Sequence, residues 1–155
     1  MKKNLLICIA MTLFLGSNLY AGKKMTQDAI NILSNARKSV KSISPKELHV
    51  LIEDDKDFVQ LDVRENNENG HGEIWSMEKV KLTRGYIEYK IEHKLPNKKT
   101  NIVVVCCSGK RAVLAAQTMQ KLGYINVSFL EGGVNGWLQG GYPLDTVYGE
   151  LYLKK

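Results

Sequence analysis

The residues best suited to chemistry form one short stretch, Cys106-Cys107-Ser108-Gly109-Lys110-Arg111. A cysteine thiolate is a strong nucleophile, and neighbouring lysine and arginine side chains stabilise it over the thiol. Glycine lets the backbone fold back around the sulfur atom. We call residues 106–111 the cysteine loop. Its composition predicts a cradle for an anionic sulfur atom, with Cys106 as the nucleophile and residues 107–111 around it.

The two cysteines of this loop are adjacent in the sequence. The alpha carbons of adjacent residues lie about 3.8 Å apart, which is less than the roughly 4.4 Å that an unstrained disulfide requires. A structural disulfide between Cys106 and Cys107 is therefore not expected. Cys107 is either a bystander, which we prefer, or the partner of Cys106 in a strained and easily reduced redox pair.

The elements on either side of the loop place it at the edge of a sheet. The apolar run Ile102-Val103-Val104-Val105 predicts a strand buried on both faces, and residues 111–122 predict a helix that ends at Gly123. Ligands of parallel sheets bind beyond the carboxyl ends of the strands. A helix N-terminus adds unpaired N–H groups and a partial positive charge, which favour a thiolate. We therefore expect the Cys106 side chain to face solvent and not the apolar interior.

Hydrophobic periodicity predicts the remaining elements. Ser44-Pro45-Lys46-Glu47 combines an N-cap serine, a proline at the first helical position and the glutamate of a capping box. The predicted helices cover residues 26–41, 45–53 and 85–95, and the predicted strands cover 58–63, 79–82 and 126–130. A short helix between Gly132 and Gly141 is expected to bury Trp137. Strands that alternate with helices predict an open, mostly parallel α/β sheet.

In the first 21 residues, charged, apolar and small polar segments follow one another in the order found in a secretory signal peptide. Lys2 and Lys3 precede an apolar run over residues 5–15, which is followed by small and polar residues up to Ala21. The run is shorter than the roughly 18 residues needed to cross a bilayer, so we expect cleavage after Ala21 and a periplasmic protein free of the membrane. The alternative is an uncleaved membrane tether.

The chain of 155 residues has the size and composition of one globular domain. We divide it into the signal peptide at 1–21, an N-terminal leader helix segment at 22–42, the domain proper at 43–145 and a C-terminal tail at 146–155. Its net charge of +6 comes from scattered basic residues, and this pattern argues against a nucleic-acid partner. No cluster has metal-ligand spacing and no phosphate-binding glycine motif occurs, so neither a metal nor another cofactor is expected.

Several motifs in a fixed order give the chain a family resemblance. They are Leu61-Asp62-Val63-Arg64-Glu65, the cysteine loop, Leu122-Gly123-Tyr124 with Asn126-Val127, and Leu130-Glu131-Gly132-Gly133 followed by Trp137. Over residues 43–143 the chain resembles a single-domain rhodanese. Residues 84–91 also resemble a segment of exported rhodanese-like domains. The resemblance implies a central, mostly parallel, five-stranded sheet with helices on both faces.

The resemblance also implies a sulfurtransferase. The Cys106 thiolate would attack the sulfane sulfur of a small anionic donor such as thiosulfate, and a persulfide would pass that sulfur to cyanide, a thiol or a protein. Arg111 would close the loop and neutralise the charge of the donor, while Lys110 would attract it. Asp62 and Arg64 match a strand-end pair of the family, and we expect them to support the loop without reacting.

Two departures from the family pattern bear on the substrate. Many rhodaneses carry arginine directly after the catalytic cysteine, where this chain has Cys107, so a preference for thiosulfate is not implied. The segment around His71 resembles its family counterpart only loosely, and we expect His71 to be an exposed loop residue.

Phosphatases and arsenate reductases place five residues between cysteine and arginine. This loop has four, which argues against those activities.

Two other interpretations remain open. The first is a carrier that holds a persulfide and delivers its sulfur to a partner protein, with little turnover on free thiosulfate. The second is a thiol–disulfide redox protein that uses Cys106 and Cys107 together. The polar residues 66–77, with Tyr86 and Tyr89, are candidates for the rim of the pocket.

Overall fold

The structure is a computed structural model that describes residues 24–153, without the side chain of Asn69. The predicted signal peptide at 1–21 lies outside the described residues. The chain divides into a small unit that ends at Ile30 and a main unit that begins at Asn31. All contacts described below lie within the main unit.

The described residues contain five α-helices and seven strands, and helices and strands alternate over most of the chain. The helices are α1 (Gln27–Ser39), α2 (Pro45–Glu53), α3 (Ile87–Lys94), α4 (Lys110–Lys121) and α5 (Gly133–Gln139). The strands are β1 (Lys41–Ile43), β2 (Val59–Asp62), β3 (Glu78–Lys81), β4 (Ile102–Val105), β5 (Val127–Leu130), β6 (Leu144–Thr146) and β7 (Gly149–Leu151). Short 3-10 helices cover Asn66–His71 and Arg84–Tyr86.

The central sheet has five strands in the order β1-β5-β4-β2-β3, and all of its neighbouring pairs are parallel. This confirms the predicted α/β class and five-stranded sheet. Asp62 at the end of β2 pairs in register with Val105 at the end of β4. Because both strands run in the same direction, the residues that follow them meet at the carboxyl edge of the sheet, where the cysteine loop lies.

Two apolar clusters confirm that helices cover both faces of the sheet. On one face, Leu61 and Val104 pack with Ile87 and Ile91 of α3 and with the buried side of α4. On the other, Val103 and Val105 pack with residues of α2 and α5, including Trp137, whose side chain is buried as predicted. The alternation of β4 between the faces explains its wholly apolar sequence.

Local signals predicted some elements closely and missed others. Helix α2 begins with the expected capping box, in which the Ser44 side chain accepts from the Glu47 amide and the Glu47 carboxylate accepts from the Ser44 amide. Strand β1 was not predicted, because Lys41 and Ser42 are exposed and carry no apolar pattern. Strands β6 and β7 form an antiparallel hairpin that extends into the segment assigned to the C-terminal tail. Among the helices that the structure describes, none is long and apolar enough to cross a membrane.

Candidate active site

The cysteine loop connects the end of β4 to the start of α4. Gly109 is the N-cap residue of α4 and has a φ of +80°, in the left-handed region that favours glycine. A Cβ atom at Gly109 would lie 3.2 Å from the carbonyl oxygen of Leu130. The glycine therefore allows both the tight turn and the close approach to the end of β5.

Helix α5 holds the first two peptide groups of the loop. The Val134 amide donates to the Cys106 carbonyl at 2.9 Å, and the Asn135 amide donates to the Cys107 carbonyl at 2.9 Å. The C=O and N–H of a trans peptide point in opposite directions. With both carbonyls directed at α5, the N–H groups of Cys107 and Ser108 point away from that helix.

Gly133, the first residue of α5, is the residue that permits this anchoring. It has a φ of +59°, and a Cβ atom there would lie 2.1 Å from the Cys106 carbonyl oxygen. No side chain fits at that distance. Sequence analysis named Gly133 only as part of a family motif, because its close approach joins segments that are remote in the sequence.

The Cys106 sulfur lies at the N-terminus of α4, where the Ala112 amide donates to Sγ at 3.4 Å. This amide belongs to the first turn of the helix, where N–H groups have no intrahelical acceptor. The side chain of Cys106 is fully buried and belongs to the apolar cluster shared with α4. The expectation that this side chain faces solvent is therefore wrong, because the alternation of β4 directs residue 106 to the same face as Val104. Its role as a nucleophile stays a prediction.

Cys107 is the more accessible of the two thiols. Its S–H donates to Oε1 of Glu68 at 2.9 Å, and its side chain is partly buried. Burial raises the pKa of Cys107 to about 11, and the hydrogen bond and negative charge of Glu68 add to this effect. Cys107 is therefore a protonated thiol at neutral pH, in which form it is a poor nucleophile.

Glu68 forms a bidentate ion pair with Arg111. Nη1 of Arg111 lies 2.6 Å from Oε2 of Glu68, and Nη2 lies 2.7 Å from Oε1. The hydrogen bonds from Arg111, followed by that from Cys107, hold the pKa of Glu68 well below its usual range. The hydrogen bonds between Arg111 and Glu68 also raise the pKa of Arg111. The arginine that was predicted to neutralise a donor is thus already neutralised by a carboxylate of the chain.

Asp62 and Arg64 form a buried ion pair, as sequence analysis expected. Nη2 and Nε of Arg64 lie 2.7 and 2.8 Å from Oδ2 of Asp62. Burial alone would lower the pKa of Arg64, but its hydrogen bond with Asp62 and the charge of Asp62 raise it overall. Arg64 also donates to the carbonyl oxygens of Gly72 at 3.1 Å and Glu68 at 3.4 Å. The pair therefore supports the segment that carries Glu68.

The other predicted residues lie around this arrangement. Ser108 is half-buried, Lys110 is exposed, and His71 is exposed as expected. Within residues 24–153 no group of His, Cys, Asp and Glu side chains could hold a metal ion. Sequence analysis placed residues 66–77 at the rim of the pocket but did not single out Glu68. The only signal was its position three residues after the motif that ends in Glu65.

Comparison with known proteins finds a family model and a curated relative that match part of this chain. The family model of the rhodanese-like domain matches residues 44–140. Rhodanese-like domain-containing protein 10 of Arabidopsis thaliana is 24% identical over 74 residues, which are 48% of this chain and 35% of that protein. The chain therefore spans about a third of the length of this curated relative.

Solved structures share the fold. A protein of unknown function from Rhodopseudomonas palustris, described as a possible tyrosine phosphatase, is 26% identical with a TM-score of 0.68, over 79% of this chain and 97% of that one. A rhodanese-related protein from Thermoplasma volcanium is 29% identical with a TM-score of 0.56, over 67% and 96%. The polysulfide-sulfur transferase homodimer of Wolinella succinogenes is 24% identical with a TM-score of 0.63, over 80% and 87%, and at that identity it supports the fold alone.

Proposed function

Because the chain belongs to the rhodanese-like domain family, we propose that it is a sulfurtransferase that carries a sulfane sulfur as a persulfide on Cys106. One observation supports this proposal above all. The Ala112 amide at the start of the 12-residue helix α4 donates to the Cys106 sulfur. A helix N-terminus stabilises negative charge on sulfur, as both the nucleophile and the persulfide require.

The transfer proceeds in two steps. The Cys106 thiolate attacks the outer sulfur of a donor such as thiosulfate, the sulfur–sulfur bond of the donor breaks, and sulfite leaves with the bonding electron pair. A thiophilic acceptor, cyanide or a thiol, then attacks the outer sulfur of the persulfide and regenerates the Cys106 thiolate. The covalent intermediate divides one difficult transfer into two easier ones. The loop N–H groups stabilise the charge that stays on the sulfur.

The burial of Cys106 sets a condition on this reaction. Its sulfur has no exposed surface, so a donor must displace covering side chains before the attack. The nearby side chains of Cys107, Glu68 and Arg111 are partly exposed and contact one another. The proposed reaction requires that these contacts and the packing around the sulfur open. We infer that the rate with small donors is limited by this opening.

A second function is favoured by the same burial. A persulfide enclosed in the domain would be shielded from small molecules and released only to a protein that opens the loop. In this interpretation the chain is a sulfur carrier with little turnover on free thiosulfate. The redox interpretation has less support, because a Cys107 thiol with a pKa of about 11 is seldom ionised at neutral pH.

We further propose that the protein works in the periplasm after removal of residues 1–21, with a small anionic sulfur donor and a thiol or protein acceptor. The cleavage site and the persulfide are tested together by the intact mass of the purified protein before and after incubation with thiosulfate. The expected result is the mass of residues 22–155, increased by one sulfur atom.

Two variants locate the added sulfur. The gain in mass should vanish in Cys106→Ser and persist in the matched control Cys107→Ser. Equal loss in both variants would favour the redox pair, and loss in Cys107→Ser alone would refute the assignment to Cys106.

Saturable transfer to cyanide would identify an enzyme, whereas a stable persulfide with negligible turnover would identify a carrier. A chromogenic phosphate ester should not be hydrolysed.

A further inference from the structure

Strand β7 forms one edge of the β6–β7 hairpin, and in the described part of the chain no strand lies beyond it. Its only strand partner there is β6, and all of its residues are exposed. Apolar side chains nonetheless dominate this region, with exposed fractions of 47% to 98% at Val147, Tyr148, Leu151, Tyr152 and Leu153. An exposed apolar strand edge is a ready template for pairing with another strand.

The two edge strands of the central sheet are protected from such pairing, unlike β7. Strand β1 begins with the exposed residues Lys41 and Ser42. Strand β3 carries Lys79 and Lys81, which both form ion pairs with Glu73. Charged side chains, lysine above all, block unwanted strand pairing in native proteins. Residues 144–153 contain no lysine, so the hairpin lacks this protection.

The backbone of β7 directs hydrogen-bonding groups at the open edge. Asp145 of β6 exchanges two backbone hydrogen bonds with Glu73, at 2.8 and 2.9 Å, so its N–H and C=O point away from β7. Asp145 is paired in register with Glu150. In an antiparallel ladder both residues of such a pair direct these groups away from each other. The N–H and C=O of Glu150, and by alternation those of Tyr152, therefore point outward from the hairpin.

Leu151 shows that one face of the hairpin is incompletely covered. It lies directly opposite Leu144, whose side chain is buried in the apolar cluster shared with α2 and α5. Side chains directly opposite each other on paired strands lie on the same face. Leu151 therefore lies on the core side of the hairpin but is 47% exposed. A strand added beyond β7 would cover it.

We propose that β7 and the residues after it pair antiparallel with the same segment of a second copy of the chain, in a register centred on Tyr152. A two-fold axis at Tyr152 places Leu151 opposite Leu153 of the second copy and Glu150 opposite its Lys154. Lys154 follows the described residues in the sequence. This register joins the outward backbone groups of Glu150 and Tyr152 to those of the second copy.

Charge complementarity selects both this occupant and this register. The segment carries Glu150 on one side of its apolar centre and Lys154 on the other, so it is complementary to itself, as a two-fold contact requires. An axis at Glu150 would place two carboxylates opposite each other, which is unfavourable. An axis at Leu151 would place Glu150 opposite Tyr152 and lose the ion pair. The axis at Tyr152 forms the ion pair twice.

The resulting dimer has a four-stranded antiparallel sheet in the order β6-β7-β7-β6. An isolated two-stranded hairpin is marginally stable, whereas three or more strands with an apolar face are stable. The contact is small, so we expect a weak dimer. It uses no residue of the cysteine loop, and the inference does not depend on the proposed sulfur transfer.

Sedimentation equilibrium of the purified protein, over concentrations up to about 1 mM, tests the dimer. The average mass of the wild type should rise from that of one chain toward that of two. Glu150→Lys and Lys154→Glu should each raise the dissociation constant by at least about tenfold, because each turns two attractive pairs into two repulsive ones. The double variant restores the pairs with their charges exchanged. Its dissociation constant should return to within about threefold of the wild-type value.

Lys155→Glu is the matched control. It changes the net charge as much as Lys154→Glu does, but the axis places residue 155 opposite Gly149, which has no side chain. The dissociation constant should change by less than about threefold.

Hydrogen exchange of the wild type provides a readout that needs no variant. The amides of Glu150 and Tyr152 should exchange more slowly as the protein concentration rises, whereas the amide of Val147 in the hairpin turn should not.

Three results would overturn the inference. A wild type that stays monomeric at about 1 mM would leave the edge of β7 to a strand of another protein. A dimer that both charge reversals leave unchanged, or that the double variant fails to restore, would form at another surface or in another register. Exchange of the Tyr152 amide at the same rate at every concentration would exclude pairing through β7.

Discussion

Replacing Gly133 with alanine tests whether the close contact between α5 and the cysteine loop holds that loop in place. A Cβ atom at this position would lie 2.1 Å from the Cys106 carbonyl oxygen and 2.7 Å from the Cys107 carbonyl carbon. The two segments must therefore separate. Separation breaks or weakens the two hydrogen bonds in which Val134 and Asn135 donate to the loop, each worth about 1 kcal/mol.

The backbone conformation adds a second cost. Gly133 has a φ of +59°. An L-residue with a side chain in this left-handed region costs roughly 1–2 kcal/mol of stability. Together with the hydrogen bonds, the expected loss in the free energy of unfolding is about 3–4 kcal/mol. The control is Gly141→Ala, because Gly141 has a φ of +87° but nothing lies within 4 Å of its Cβ position. The control shares the backbone strain and lacks the contact.

The assay is urea unfolding of both variants, followed by measurement of sulfur transfer. Gly133→Ala should lose about 2 kcal/mol more free energy of unfolding than Gly141→Ala, because only Gly133→Ala disturbs the two hydrogen bonds between α5 and the loop. Gly133→Ala should also lose sulfur loading, while Gly141→Ala keeps it. Equal stability losses with sulfur loading intact would refute the view that α5 positions the loop through this contact.

Three further predictions concern the charges around the loop. In Cys106→Ser, alkylation of Cys107 should quicken about tenfold per pH unit and level off only near pH 11, because the thiolate is the reactive form; a plateau near neutral pH would contradict the contact with Glu68. Arg111→Ala should lower kcat/KM for thiosulfate by at least about tenfold, since it leaves an unpaired carboxylate beside the donor, and steady-state kinetics that match the wild type would exclude a role for the pair. Asp62→Asn should cost about 3–5 kcal/mol in urea unfolding, because it leaves a buried arginine without its partner. The control for Asp62→Asn is Glu92→Gln, which breaks a well-exposed ion pair with Lys98 and should cost under about 1 kcal/mol.

Local sequence patterns sufficed for much of the fold. The capping box predicted the start of α2, the apolar run predicted β4, and Gly123 marked the end of α4. These signals depend on residues within a few positions of one another, so a linear reading can detect them. The same holds for the composition of the cysteine loop, because its cysteines, glycine and basic residues lie within six consecutive positions.

The contacts that set the chemistry of the site depended on the tertiary structure. Glu68 and Arg111 are 43 positions apart in the sequence and meet because β2 and β4 pair in parallel and end at the same edge. Cys106 is buried because strand alternation continues one residue past β4 and directs its side chain under α4. Charge pairing and burial arise from distances in space, whereas sequence patterns record distances along the chain. The sequence therefore determined which residues form the loop, and only the packing of the sheet decided which charges they retain and whether solvent reaches the sulfur.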